Sequence, residues 1–293
     1  MAITKKIGIL FRSVIGELLK VYYNVFTPIV SNGLNIVPRE RKVIVSLTSY
    51  GRRVSKNLCV TIWSLLKQTY KPDAVILWLD KDKWDDEKLP ECIKKMQKQG
   101  LTVKYCKDIR SYTKLVPALQ EFPNDLIITV DDDLYYKSST IQKLVEAYEQ
   151  NPNRIYAHRA HRPLLDNNGK LMPYNDWELE IGSTETQPVF LTGCGGVLYN
   201  GNLLHKDVTN EELFMKLSPR ADDVWFYFMS VLKKTPTVVV PRKHCVYIPL
   251  DNFYQLFHHE ARLAASNCKE SQNDIQIKNV MQHYNLVEKD LFF

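Results

Sequence analysis

The sequence contains no Cys-x-x-Cys pair and no Gly-x-x-x-x-Gly-Lys-Ser/Thr loop. It also has no apolar run long enough to cross a bilayer without meeting a charge. The first absence argues against a structural zinc site: the six cysteines, at 59, 92, 106, 194, 245 and 268, are scattered, with no histidine at zinc-finger spacing. Such cysteines, in a chain of 293 residues that shows no secretion signal, are expected to be reduced core residues, which favours a cytosolic compartment. The second absence counts against P-loop phosphate chemistry. Internal repeats and low-complexity tracts are missing too, so neither a solenoid nor a disordered chain is expected.

What is present is ample apolar material. At 45% hydrophobic content the chain can bury a full core and reads as one large domain with appendages. A net charge of +6 and a pI near 8.8 suit anionic partners. Nucleotide diphosphates, acidic lipid headgroups and nucleic acid all meet that description, so charge alone selects none of them.

Residues 1–38 form a distinct N-terminal segment. Lys5 and Lys6 precede Ile7, Leu10, Phe11, Val14, Ile15, Leu18 and Tyr22 at helical spacing, while Arg12, Glu17 and Lys20 interrupt the run. No small-residue cleavage site follows. The segment is expected to be an amphipathic helix that lies on a surface, either an anionic inner leaflet or its own domain.

From Pro38 onward, short apolar runs alternate with amphipathic helical patterns, the mark of an α/β layer structure. Val43 to Leu47 reads as a strand, Leu58 to Thr69 as a helix and Ala74 to Leu79 as a second strand. A helix through Leu89, Ile93 and Met96 stops at Gly100, and strands at Leu101 to Tyr105 and Leu126 to Val130 follow. Ser138 or Ser139 can cap a helix through Ile141, Leu144, Val145 and Tyr148.

The last of those strands runs straight into Asp131-Asp132-Asp133. Ligands of open α/β sheets bind beyond the carboxyl ends of the strands, and three adjacent carboxylates repel one another unless a cation joins them. Extended alternation aims Asp131 and Asp133 to one side, where both reach one hard divalent ion, Mg²⁺ or Mn²⁺, beside a diphosphate. Asp132 then points elsewhere. The plainer reading is a solvated acidic turn.

The segment Leu126 to Tyr136 resembles the Asp-x-Asp motif of glycosyltransferases with the GT-A fold. Val43 to Tyr50, followed by the helix through Ser64 to Tyr70, resembles the nucleotide-binding opening of bacterial family-two-like transferases that build capsule and lipopolysaccharide glycans. The resemblance spans roughly Arg41 to Pro249. It implies a mixed sheet flanked by helices over residues 39–250 and a helical C-terminal tail over 251–293. It further implies a metal-dependent transferase with a nucleotide-sugar donor, a UDP-sugar being favoured. The expected acceptor is a glycan or a lipid-linked oligosaccharide, not a nucleic acid. Within that frame Thr48, Ser49, Tyr50, Arg52, Arg53, Lys114 and Asp132 are expected on the donor and Asp131 and Asp133 on the metal. Tyr50 is suited to stack on a base and the arginines to grip phosphate. A solvated turn at Gly51 and an exposed Lys114 are the plainer alternatives.

A second acidic pair, Asp222-Asp223, opens the helical pattern through Phe228, Met229 and Leu232. Carboxylates at that position cap helices. The segment also resembles the pair carrying the catalytic base of inverting GT-A enzymes, which makes Asp223 the expected base and Asp222 its alternate or an acceptor contact. Between the two acidic sites, Phe190 to Tyr199 places Gly193, Gly195 and Gly196 among strand-like runs, as an acceptor floor or as a simple hairpin. Cys194 reads as a buried small residue rather than a nucleophile. The run His158-Arg-Ala-His-Arg162 is either an anion contact or solvated charge. His244, His258, His259 and His283 are isolated metal-ligand candidates. For Tyr174, Trp177, Phe253 and Tyr254 core packing is the default reading, with Trp177 the first exception as a sugar platform because polar neighbours surround it. Two other functions remain open: a nucleotidyl- or phosphotransferase with a Mg-carboxylate site, and a non-catalytic glycan-binding module. The expected location is cytoplasmic, with peripheral contact to the inner membrane if the first helix docks there.

Overall fold

A computed structural model of the chain describes residues 2–26, 28–31, 33–55, 57–182, 188–241, 247–252 and 271–292. The expected mixed α/β sheet is there. Its central strands are β1 (Val43–Thr48), β2 (Ala74–Asp80), β3 (Leu101–Cys106) and β4 (Leu126–Thr129), which run parallel to one another. The remaining three are β6 (Ile155–Ala157), β9 (Val197–Asn200) and β10 (Thr237–Val239), in the overall order β10-β6-β9-β4-β1-β2-β3. β9 is the reversed strand, antiparallel to β4 and β6.

Sheet residues alternate between two cores, as the period of an extended chain requires. Ile44, Ile76 and Ile127 point into one layer and Val45, Val75 and Ile128 into the other. The first layer is closed by α4 (Val116–Glu121), α6 (Glu211–Leu217), α7 (Asp222–Leu232) and α8 (Gln272–His283). The second is closed by α2 (Leu58–Leu66), α3 (Glu91–Gln97) and α5 (Thr140–Gln150). Covering both faces explains why β1 is buried continuously from Val43 to Leu47 rather than at alternate residues. Ser139 stands at the N-cap of α5 without a side-chain cap bond.

Two expectations change. The cysteines are not all reduced: Cys59 of α2 and Cys92 of α3 form a disulfide, with Cα atoms 6.2 Å apart. They lie 33 residues apart in sequence, so only helix packing brings them together. The expectation of reduced core cysteines therefore does not hold for this pair. Nor is the Phe190–Tyr199 segment a hairpin. Its first strand, β8 (Phe190–Leu191), pairs with β7 (Ala160–His161), while β9 enters the main sheet. Gly195 and Gly196, at φ of +99° and +106°, supply the left-handed backbone that separates the two paths.

The N-terminal helix α1 (Ala2–Phe26) packs on its own domain. It rests against β11 (Tyr247–Pro249), which pairs with β5 (Leu134–Tyr136) in a separate two-stranded sheet. No helix among the described residues is long and apolar enough to cross a membrane.

Candidate active site

β4 stops at Thr129, and Asp132 and Asp133 lie in the turn that leads out of the sheet to β5. Extended alternation therefore does not govern the triplet. The turn is pinned by its backbone: Tyr136 Oη accepts from Asp131 N–H at 2.8 Å, Thr61 Oγ1 donates to the Asp132 carbonyl at 3.0 Å, and Leu250 N–H donates to the Asp133 carbonyl at 2.8 Å. Its carboxylates divide between two cations: Asp131 meets Lys114, while Asp132 and Asp133 share Arg53.

Asp132 is the buried one. Its carboxylate accepts from Ser49 Oγ at 2.5 Å and pairs with Arg53 at 2.9 Å. Burial raises its pKa against the pull of Arg53. Asp133 lies 3.4 Å from the same guanidinium. Burial lifts its carboxyl to about 7, with Arg53 opposing and Asp132, Asp131 and Asp251 adding repulsion. Asp131 is the most open of the three and meets Lys114 Nζ at 3.2 Å.

Lys114 is not an exposed helix lysine. It closes a 3-10 turn, Arg110–Lys114, and its side chain is buried. The turn is fastened beneath β1 by Ser46 Oγ donating to the Lys114 carbonyl at 2.6 Å. Arg110, at φ +61°, donates to the Pro219 carbonyl, and Tyr112 Oη donates to the Ser218 carbonyl. Those two bonds join the turn to the loop entering α7. Lys114 Nζ thereby lies 3.1 Å from Asp222 as well as near Asp131. Burial lowers its pKa, but Asp131, Asp222 and Asp223 outweigh this and hold the ammonium above its ordinary range.

The second acidic pair does not cap α7, whose N-cap is Ala221 without a side-chain cap bond. Asp222 is buried and spent on Lys114. Asp223 is half-buried, and its Oδ1 accepts from Gly193 N–H at 2.9 Å. Burial and the Asp222 charge raise its pKa to about 7, with Lys114 and the Gly193 amide pulling the other way. Gly193 is required there: a Cβ would stand 2.6 Å from Lys114 Nζ and 3.2 Å from Asp223 Oδ1. The glycine segment thus touches the acidic pair directly.

Of the donor-side candidates, Ser49 and Arg53 join the triplet, while Thr48 Oγ1 is turned to the Trp78 carbonyl of β2 at 2.9 Å. Tyr50 stands out from the surface, 54% exposed, with the Arg53 guanidinium 5.4 Å from its ring centre. Arg52 grips Asp251 through bonds of 3.0 and 2.8 Å. Asp251 also accepts from Asn57 at 2.9 Å and lies 3.8 Å from Arg53. Neither Asp251 nor Asn57 stands out in the sequence. The one local sign of Asp251 is a carboxylate two residues after the end of strand β11.

The other candidates fall elsewhere. His158 and His161 are core residues, bonded to the Thr140 carbonyl and the Glu180 amide; burial first, then Arg159, lowers His161 to about 4. Arg159 and Arg162 pair with Glu180 and Glu178, so the basic run is an internal network. Trp177 is buried, and its indole N–H donates to the Met172 carbonyl, so it is core rather than platform. Burial pushes the Cys194 thiol up to about 12, far from a thiolate. His283 lies in α8, away from the triplet's partners. Phe253, Tyr254, His244, His258 and His259 lie outside the described residues.

The described site thus gathers Asp131, Asp132, Asp133, Asp222, Asp223 and Asp251 around Lys114, Arg52 and Arg53. Carboxylates outnumber cations two to one. Among the described residues no group of three or more His, Cys, Asp or Glu side chains is arranged to hold an ion by itself.

No curated protein matches the sequence. Several solved structures align with part of the chain. CMP:2-keto-3-deoxy-manno-octonic acid synthetase complexed with CTP aligns at a TM-score of 0.43 and 10% identity, over 75% of this chain and 99% of that one. S. aureus TarS aligns at 0.48 and 16% identity, over 83% of this chain but only 43% of its own length. Its 1–349 segment gives the same score and identity and is covered to 72%. Sequence is the firmer guide: residues 44–211, from β1 through the triplet and the glycine segment to the start of α6, match the family described as glycosyl transferase family 2. By that match and its mixed, mostly parallel sheet, the chain belongs to glycosyl transferase family 2, with a GT-A fold.

Proposed function

We propose that the chain transfers a sugar from a nucleotide-diphosphate donor to a hydroxyl of a glycan or lipid-linked acceptor in surface polysaccharide synthesis, with inversion and with Asp223 as general base. The observation that carries this reading is the state of Asp223. It is half-buried, oriented by the Gly193 amide and lifted to about 7, whereas its neighbour Asp222 is committed to Lys114. A carboxylate near neutrality is matched to taking a proton from a hydroxyl.

The residues present fit a divalent cation. Asp133 is lifted to about 7 by burial and by three neighbouring carboxylates, an excess of negative charge that a hard cation relieves. Asp131 and Asp133 would hold Mn²⁺ or Mg²⁺, which would supply charge stabilisation to the departing diphosphate, with phosphate and water completing the shell. Arg53 and Ser49, already fixed on Asp132, line the donor side, and Tyr50 offers an open ring for the base. In the reaction the acceptor O–H proton passes to Asp223, the acceptor oxygen bonds to the anomeric carbon, and the bond to the phosphate oxygen breaks with its electrons leaving on the diphosphate.

The test is a panel of UDP-, GDP- and CMP-sugars scored for nucleotide release with manganese, magnesium or chelator, UDP-sugars first. The reading expects metal-dependent release of a nucleoside diphosphate, abolished in Asp223→Asn. Pyrophosphate as product would point to nucleotidyl transfer instead. Release that persists in chelator would overturn the metal assignment.

A further inference from the structure

Helix α1 is attached to the domain by the wrong face for an ordinary surface helix. Its buried side holds Ser13, Gly16 and Tyr23. Ser13 Oγ accepts from Asn252 at 3.0 Å, Tyr23 meets the Trp63 ring at 5.8 Å, and a Cβ on Gly16 would fall 2.2 Å from the Pro249 carbonyl oxygen. Large apolar side chains look outward. Leu10, Phe11, Leu18, Val21, Val25 and Phe26 are all exposed, Phe11 and Val25 by 66% and Leu18 by 62%. With Val14 and Tyr22 they fall within one arc of roughly 160° and along about 24 Å of helix. Ile29, 82% exposed, follows just beyond the helix end. A surface helix normally buries its apolar stripe, and a continuous exposed one marks an interaction site.

The net charge of the helix selects the occupant. The helix carries Lys5, Lys6, Arg12 and Lys20 against a single carboxylate, Glu17, and Glu17 is held by Lys20 at 2.7 Å. Beside Tyr22 stands Trp63, 5.9 Å away, and the Lys67 ammonium lies 4.4 Å over that ring. Two such cationic helices placed face to face would repel, whereas anionic headgroups attract them. Aromatic side chains within an apolar stripe suit the headgroup boundary.

We propose that the outward face of α1 docks on an anionic phospholipid bilayer, with the helix lying in the plane of the interface. The docked helix shares a loop with the site: Asn252, the partner of Ser13, directly follows Asp251, which holds Arg52. Docking therefore places that loop behind α1, one helix diameter (~10 Å) from the bilayer surface where a lipid-linked acceptor is presented; this consequence, unlike the docking itself, rests on the function proposed above.

The experiment is sedimentation of the full chain with vesicles of phosphatidylcholine alone and of phosphatidylcholine with phosphatidylglycerol, at low and high salt. The comparison protein is Phe11→Glu/Leu18→Glu/Val25→Glu, altered only at exposed positions and checked by thermal melting. Wild type should sediment with the anionic vesicles, less so in high salt. The triple variant should partition at least about 100-fold more weakly. Wild type remaining in the supernatant with anionic vesicles at low salt would overturn the proposal, whatever the stability of the variant. So would a folded triple variant that binds like wild type, or a lipid-free wild-type dimer that the variant converts to monomer without any vesicle binding. Vesicle binding needs no donor, metal or acceptor, so its failure leaves the transferase reading standing, and failure of the donor panel leaves the docking intact.

Discussion

Replacing Lys114 by Met keeps the length and the apolar stem of the side chain and removes only the ammonium. That group lies 3.1 Å from Asp222 and 3.2 Å from Asp131, with side-chain exposures of 10%, 11% and 30% in the order Lys114, Asp222, Asp131. Asp222 is left as a buried carboxylate without its partner, and breaking such a pair costs about 3–5 kcal/mol. For a domain of this size the melting temperature should fall on the order of 10 °C at pH 8. The sign of the pH dependence follows from the charges. Losing the ammonium pushes the already raised Asp223 carboxyl further above its unfolded value, so stability is retained at low pH and lost as pH rises through the folded value. Urea unfolding should therefore show a larger loss at pH 8 than at pH 5. Lys114 also holds Asp223 down, so in the variant the acidic limb of kcat/KM, expected near 7, should move up by about one unit. A loss below about 1 kcal/mol that is equal at both pH values, with an unmoved limb, would refute the buried junction.

Other outcomes follow from neighbouring contacts. Asp223→Asn should keep its melting temperature and donor binding by calorimetry while kcat falls at least about 100-fold. Gly193→Ala places a methyl against Lys114 Nζ and Asp223, so turnover should drop about tenfold or more with a small stability change, because the displaced atoms are side-chain ends. Arg53→Ala strips the buried Asp132 of its cation and should cost about 3–5 kcal/mol in urea unfolding, besides weakening donor binding. Cys59→Ser opens a 33-residue loop and should cost roughly 3–4 kcal/mol, an effect reproduced in wild type by reductant and absent from the reduced variant.

Much of the frame was legible in the chain. β1, β2 and β4 are mainly apolar runs covered on both faces, β3 is a partly exposed edge strand, and each forms within a residue of its expected ends. The acidic triplet and the acidic pair were visible as residues, but their directions were not. Asp131 and Asp133 were expected at the end of an extended strand; the chain turns after Thr129, with Asp131 beside Lys114 and Asp133 beside Arg53. Trp177 and the His158–Arg162 run look available in sequence because polar neighbours surround them; in the fold Trp177, His158 and His161 are buried, while Arg159 and Arg162 stay partly exposed and pair with Glu180 and Glu178. The Cys59–Cys92 bridge has no local signature at all.

The sequence by itself determined the strand order's raw material, the sheet-edge carboxylates and membership of the family, since these depend on local apolar pattern and on motifs a few residues long. Only the tertiary structure decided which carboxylate meets which cation, because Lys114, Asp131, Asp222 and Gly193 come from four separate segments that the sheet brings to one edge. It also decided which face of α1 looks outward. Helical periodicity gives the apolar stripe, but the close approach of Gly16 to Pro249 is what turns that stripe to the outside.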